Sequence, residues 1–464
     1  MPSLTLERIA AVIGGRIILG NPSQYIPLHI GGWRGAHPGR ITFLANPKAN
    51  AKRLLSTLNK YHVACILVRD RKLLDLSRWR KNNIAVIEVG NLGNSYLALA
   101  RAYRRQLGIP FIQVMGSAGK TTTKEMIGAV LREKLQPMVS YMNDNLPDGV
   151  ANSIFRVNGG HRSAVIEAGM LGRGIIGLST RLINPNIVVV TSIQRAHAVR
   201  LGSIKNIIAA KSEVLSYMGK DSTLILNGED ENIKAMPVQK FGGLVLRYGF
   251  SPRCNLWASD IKLDGLGTIF TVNGIGIKFR CRINTFGKYN VGNALAAVLV
   301  GLQVGMSPNE IASGLSKFYP VNGRLRVHQG KNNSLIINDN FNANPDSTRL
   351  LIRALGSLAV QHHVALVLGD MERPSNRIAL YARQVHYEAG KVIAETEIKE
   401  VLAIGKWGKE YVRGAVAAGY PRERIAYYPT VAAARPHFKK LLAPGMIIVL
   451  KASVYTPVRG LMKR

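Results

Sequence analysis

Acidic side chains are scarce in this chain. Only 27 Asp and Glu stand against 62 Lys and Arg over 464 residues, a formal charge of +35. That imbalance produces a positive surface field attracting anions, from acidic metabolites to polyanions. It does not describe a disordered basic tail, because 47% of the residues are hydrophobic and only 19% are charged, enough apolar surface to build cores. Cysteine is also rare. The three present, Cys65, Cys254 and Cys281, are odd in number and far apart, which excludes a disulfide framework or a four-cysteine zinc site and points to a reducing compartment. Long apolar runs are missing too: the best stretch, 293–301, falls short of the ~20 residues a membrane span needs. The first residues show no basic segment followed by an apolar run and a cleavage site. No membrane span and a cytoplasmic location are therefore expected. Aromatics make up 7% of the chain and do not interleave with base. The densest basic groups, Arg69-Asp70-Arg71-Lys72 and Arg101-Ala102-Tyr103-Arg104-Arg105, are short, so nucleic acid is not an expected partner.

Glycine (46) and proline (20) are near ordinary usage, which excludes collagen-like and low-complexity chains, and the length suggests roughly three domains of about 150 residues. Strand-like runs at 111–115, 165–167 and 187–191 alternate with helical stretches, the pattern of a parallel sheet covered on both faces. Between about 254 and 286 the pattern shifts to short alternating runs such as 268–272, predicting an appended antiparallel patch. After Pro320 the strand-helix alternation resumes at 335–337, 364–368 and 446–450. Natural cuts fall near residues 107 and 322, giving expected domains 1–107, 108–321 and 322–464.

The segment Gly116-Ser117-Ala118-Gly119-Lys120-Thr121-Thr122 follows a predicted strand and precedes the helix-forming Lys124-Glu125-Met126-Ile127. Glycines there let the backbone turn its amides onto a phosphate, and the helix N-terminus adds a favourable dipole. Lys120 would neutralise the outer phosphates and the Thr121 hydroxyl would ligate Mg²⁺. The usual long form has a glycine where this chain has Val114, so the loop is a shortened variant. The bland alternative is a plain strand-to-helix turn with a chance lysine. The context favours ATP binding.

Further segments follow in order: Val165-Ile166-Glu167-Ala168-Gly169; His197, Gly202-Ser203 and Ala210-Lys211-Ser212-Glu213; Gly287-Lys288-Tyr289-Asn290 with Asn293-Ala294; Gly323-Arg324-Leu325; Asn338-Asp339-Asn340-Phe341-Asn342-Ala343-Asn344-Pro345; and Gly369-Asp370-Met371. Together they resemble the Mur ligase family of ATP-dependent amide ligases of peptidoglycan synthesis, and within it the branch that adds D-alanyl-D-alanine. The resemblance implies a three-domain α/β fold: an N-terminal UDP-sugar-binding-like domain, a central parallel-sheet P-loop ATPase domain with its antiparallel patch, and a Rossmann-like C-terminal domain. It implies that Thr121 and Glu167 hold one magnesium ion, and that His197 and Lys211 serve a second. Lys211 would be carbamylated, because an ammonium would repel the ion. Lys120, His197 and Lys211 are the expected catalytic groups. Gly116 to Thr122, Asn290 (facing adenine), Arg324 and Asp339 (toward phosphate and ribose) are the expected nucleotide contacts. Asn342, Asn344 and Lys451 are expected to meet substrate.

Amide formation from a carboxylate near neutral pH requires a better leaving group than hydroxide. ATP supplies one by phosphorylating the carboxylate, and the amine then attacks the acyl phosphate. Both steps crowd negative charge, so positioning and neutralisation by cations should dominate catalysis.

The pattern breaks in several places. The family's paired-asparagine stretch reads Asn143-Asp144-Asn145-Leu146-Pro147-Asp148-Gly149. Val199 replaces an acidic residue two positions after His197. Arg373-Pro374-Ser375 replaces Glu-Leu-Gly, and Lys451-Ala452-Ser453-Val454 loses a terminal arginine. The usual uridine signatures of the first domain are absent. In their region Gly31-Gly32-Trp33-Arg34 and residues 41–48 occur, the latter similar to the uridine-binding domain of the lipid A acyltransferases, with Phe43 and Asn46 as candidate uracil contacts. The expected partners are small molecules: a nucleotide-sugar peptide or other carboxylate, and an amino acid or dipeptide. A monomer is expected. The alternatives are a divergent paralogue with another acidic acceptor, and a non-catalytic nucleotide- or nucleic-acid-binding protein.

Overall fold

The computed structural model describes residues 3–28, 30, 41–44, 62–70, 76–194, 201–371 and 379–462, with residues 42–44 and 78 described in backbone only. His197, Asn46, Val199, the segment 31–34 and residues 373–375 lie outside the described residues, as does the side chain of Phe43. The chain forms two compact units. One comprises Met1–Gly116, Leu131–Leu226 and Asp230–Leu246; the other comprises Ser117–Val130, Asn227–Glu229 and Arg247–Arg464.

In the first unit, strand Arg16–Leu19 pairs antiparallel with Ala85–Glu88, which continues in parallel to Cys65–Val68 and Ile41–Leu44. The apolar run Cys65–Val68 is buried on both faces, Cys65 and Leu67 on one side and Ile66 and Val68 on the other, as parallel strands usually are. A second parallel set runs in the order Thr223–Asn227, Ile187–Val190, Phe111–Met115, Ser163–Ala168, Pro137–Val139. The core beneath helix Leu92–Arg104 continues without interruption into Phe111, Ile154 and Ile183, across the position of the expected cut near residue 107. Arg104 joins these parts. Its guanidinium donates to the carbonyls of Ile183 (2.6 Å), Asn184 (2.8 Å) and Leu107 (2.9 Å) and lies over the Phe111 ring. Burial pulls its pKa down to about 10, which still leaves it charged at neutral pH.

In the second unit, helix Lys120–Leu131 packs on helix Pro308–Ser316 at Gly314, where an added Cβ would lie 2.5 Å from the Val130 Cα. Helix Lys288–Gln303 contains the best apolar stretch of the sequence; Asn290 through Gly301 are all buried. Among the described residues, no helix is long and apolar enough to cross a membrane. The antiparallel patch consists of strands Leu256–Asp264, Gly267–Gly274 and Ile277–Ile283. The C-terminal sheet runs Arg326–Gln329, Leu335–Asp339, Met446–Lys451, His363–Leu368, Glu400–Ile404, Ile425–Tyr428, parallel except at its first pair. Alternate residues of its central strand serve opposite cores: Val364, Leu366 and Leu368 on one face, Ala365 and Val367 on the other. Sheets with helices on both faces are the architecture that the alternating pattern predicts.

His386 closes one of these cores. Its Nδ1 faces the Ala382 carbonyl at 2.6 Å, and its Nε2 accepts the Met371 N–H at 3.0 Å. The second bond requires a neutral ring. Burial holds the imidazole below its ordinary value, with the Ala382 carbonyl, Asp370 and Glu410 opposing. The folded state thus binds its proton later than the unfolded chain. The stability it contributes is present above about pH 6.5 and is lost as pH falls below that value. Thermal midpoints measured from pH 7.5 to 5 should fall in the wild type and fall less steeply in His386→Gln.

Candidate active site

Strand Phe111–Met115 ends in a turn that only glycine tolerates. Gly116 has φ +152°, and a Cβ there would sit 2.0 Å from Thr191 Oγ1; Gly119, at φ +82°, is left-handed. Helix Lys120–Leu131 starts immediately after, with the Thr123 amide donating to the Gly119 carbonyl at 2.9 Å. The Lys120 ammonium donates back to the Ser117 carbonyl at 3.4 Å, inside the loop.

Residues Ser117 to Thr122 form one wall of a cleft within the second unit. The rest of its lining includes Thr285, just before helix Lys288–Gln303, Tyr289, Asn290 and Asn293 from the start of that helix, then Arg324, Asp339, Asn342, Asn344 and Lys451. The structure therefore brings together the expected Ser117, Ala118, Gly119, Lys120, Thr121, Thr122, Asn290, Arg324, Asp339, Asn342, Asn344 and Lys451. Gly116 leads into this wall along the chain. Sheet register explains part of the convergence: Asp339 and Lys451 end adjacent parallel strands as direct partners, on the carboxyl edge where open α/β sheets bind ligands. The Lys451 ammonium donates to Asp339 Oδ2 at 2.7 Å and to the Asn342 carbonyl at 2.9 Å. Burial lowers the pKa of Lys451, Asp339 raises it, and Arg324 lowers it again; the net direction is down. Arg324 lies over the Phe341 ring, 4.7 Å from its centre. Asn344 has a structural task as well, accepting the Ser347 N–H (2.8 Å) to cap helix Pro345–Ala359. Burial, with Asp339 adding and Asn290 opposing, pushes the Tyr289 phenol well above its ordinary value.

Glu167 and Lys211 belong to the first unit, each 1% exposed. Glu167 lies near the end of strand Ser163–Ala168 and accepts the Asn145 amide at 2.7 Å, while its own N–H donates to Ser140 Oγ at 3.0 Å. Lys211 occupies the last turn of helix Ile204–Ser212. Glu213, two residues on, accepts the Gly174 N–H (2.7 Å) and the Gly177 N–H (3.1 Å) at the start of helix Ile175–Ile183. Among the described residues, no group of three His, Cys, Asp or Glu gathers as a metal set. The oxygens of Thr121 and Glu167 are nevertheless the hard donors that magnesium takes. Tyr289 and Asn293 also line the cleft, and Asn145 and Ser140 hold Glu167, though none of the four is among the expected site residues. Tyr289, Asn293 and Asn145 stand inside the segments compared with the family, whereas Ser140 carries no signal in the sequence.

A family profile described as "Mur ligase middle domain" matches residues 114–301, and one described as "Mur ligase, glutamate ligase domain" matches residues 323–454. The UDP-N-acetylmuramoyl-tripeptide--D-alanyl-D-alanine ligase of Bacillus subtilis is 33% identical over 371 residues, covering 80% of this chain and 79% of that relative. This chain belongs to the Mur ligase family. As a member it is an ATP-dependent, ADP-forming ligase. The Mur ligase fold extends over its whole length: the crystal structure of MurF from Acinetobacter baumannii superposes with a TM-score of 0.83 at 23% identity, covering 100% of this chain and 98% of that one. MurF ligase from Thermotoga maritima, solved in complex with ADP, gives 0.74 at 18% identity, covering 94% and 97%. The α/β fold class expected of a Mur ligase is the one observed.

The buried Asp339–Lys451 pair makes a separable prediction. Lys451→Met leaves a carboxylate without its cation and should cost about 3–5 kcal/mol of stability. Adding Asp339→Asn should recover much of that loss, so a double-mutant cycle by denaturant unfolding should give strong coupling.

Proposed function

We propose that this Mur ligase adds D-alanyl-D-alanine to a UDP-muramoyl tripeptide in peptidoglycan synthesis, through an acyl phosphate. The observation carrying this reading is the single cleft that joins a phosphate loop to Arg324, Asp339 and Lys451, together with the relative named for that reaction. On this reading the chain divides into domains 1–107, 108–321 and 322–464. The first would take the UDP-sugar, with Phe43 and Asn46 at the uracil. The protein would work as a cytoplasmic monomer.

The backbone amides from Ser117 to Thr122 and the Lys120 ammonium hold the triphosphate, and the positive end of the helix faces it. Arg324 adds a cation from beyond residue 322. The acceptor carboxylate takes the γ-phosphoryl group, releasing ADP; the dipeptide amine attacks the acyl carbon, the acyl C–O bond breaks to release inorganic phosphate, and the proton lost from the amine passes to that phosphate or to water as the amide forms. Glu167 and Thr121 would hold one magnesium ion, and Lys211, carbamylated, would join His197 at a second. Bound magnesium supplies neutralisation of the charge crowding between phosphate and carboxylate. Asn145 fixes the orientation of Glu167.

ADP release measured with UDP-muramoyl tripeptide plus D-alanyl-D-alanine, against other carboxylate and amine pairs, tests the reading. Ordinary turnover with the muramoyl pair is expected. Turnover restricted to another acceptor would replace this reading with a divergent paralogue, and no ADP release with any pair would replace it with a binding protein.

A second measurement addresses Lys211. Lys211→Ala should be inactive, with partial recovery in added short carboxylates occupying the vacated anion position. Near-normal turnover without additives would rule out the carbamate.

A further inference from the structure

Behind the cleft, a chain of buried polar side chains runs from the phosphate-loop helix to the start of helix Lys288–Gln303. Thr123 Oγ1 donates to Asn293 Oδ1 at 3.1 Å, and Asn293 Nδ2 donates to Asn290 Oδ1 at 3.1 Å. Asn290 Nδ2 then donates to the Phe286 carbonyl at 2.7 Å and to Thr285 Oγ1 at 3.3 Å. A helical threonine usually returns its hydroxyl to the carbonyl one turn back; Thr123 instead reaches a residue 170 positions away.

This chain has a direction. The Phe286 carbonyl can only accept, so Asn290 must turn its amide nitrogen toward it and its oxygen toward Asn293. Asn293 must then offer nitrogen to Asn290 and oxygen to Thr123, whose hydroxyl is the only group of the three able to donate there. Both asparagines line the cleft and Thr123 does not. What the ordered pair can present to the cleft is the second N–H of Asn293 beside a lone pair of an amide oxygen. A donor beside an acceptor complements adenine, which shows the N7 acceptor and the N6 amino donor along one edge. It mismatches guanine, which shows the acceptors N7 and O6 there.

We propose that Thr123, fully buried behind the cleft, is a positioning residue for nucleobase selectivity, anchoring the Asn293 amide so that the Asn293–Asn290 pair favours adenine over guanine. The inference rests on the reading that the cleft takes ATP. Without the hydroxyl, Asn293 Oδ1 loses its donor, the amide is held from one end only, and the donor aimed at the base is no longer fixed. The triphosphate seat, made by backbone amides and Lys120, is unaffected by this change.

Equilibrium binding of ATP and GTP to the full chain tests the proposal. The wild type should prefer ATP. Thr123→Val, equal in shape but without a donor, should compress that preference by about tenfold, since a well-made pair of base contacts is worth that much or more, chiefly through weaker ATP binding. Thr123→Ser should restore it, and Thr123→Ala gives the same comparison should the valine variant not fold. Equal weakening of both nucleotides, or an unchanged ratio, overturns the proposal, because a purely structural threonine would do one or the other. A wild type with no base preference overturns it while leaving the nucleotide site standing. A wild type that binds neither nucleotide overturns the ATP reading itself.

Discussion

The turn at Gly116 leaves no room for a methyl group, since a Cβ there would lie 2.0 Å from Thr191 Oγ1. From this constraint the rest of the site follows. Only by turning so sharply can the chain pass directly from strand Phe111–Met115 into helix Lys120–Leu131. Helix Lys120–Leu131 is in turn fixed from behind by Gly314, which admits Val130 at a distance no larger residue would allow. On the proposed reading, phosphate recognition is a property of backbone geometry first, with Lys120 and Thr121 as side-chain additions to it.

Charge is used differently in the interior than the composition suggests. The excess of base reads as a surface field, yet several cations are buried and committed. Arg104 ties helix Leu92–Arg104 to the carbonyls of Ile183 and Asn184. Lys451 is held between Asp339 and the Asn342 carbonyl. In a low-dielectric interior such groups are tolerated only with their partners in place, so they fix geometry as much as they add stability. Burial also explains why His386 is kept neutral and Tyr289 is kept protonated.

The amides around the cleft obey the same rule. Asn290, Asn293 and Thr123 satisfy one another in sequence, and that mutual satisfaction gives each a defined orientation. Asn145 orients Glu167 in the first unit in the same manner. On the proposed reading, residues that bind and residues that orient are chemically alike here.

What the sequence by itself determined is what is local or repeated. Period and composition predict the strands at 111–115, 335–337, 364–368 and 446–450, the antiparallel patch, and the phosphate loop, because spacing along one strand-turn-helix is enough to define them. Motif resemblance added Asn290, Arg324 and Asp339, which line one cleft. The tertiary structure alone decided how distant positions meet. Lys451 faces Asp339 across 112 residues because their strands are adjacent and in register. Thr123 meets Asn293 across 170 residues because their two helices touch, a Cβ at Gly301 lying 3.1 Å from Val130 Cγ1. Arg104, part of a basic run in the sequence, became a buried joint. Such pairings leave no periodic trace along the chain, since each depends on backbone paths set by the packing of everything between them.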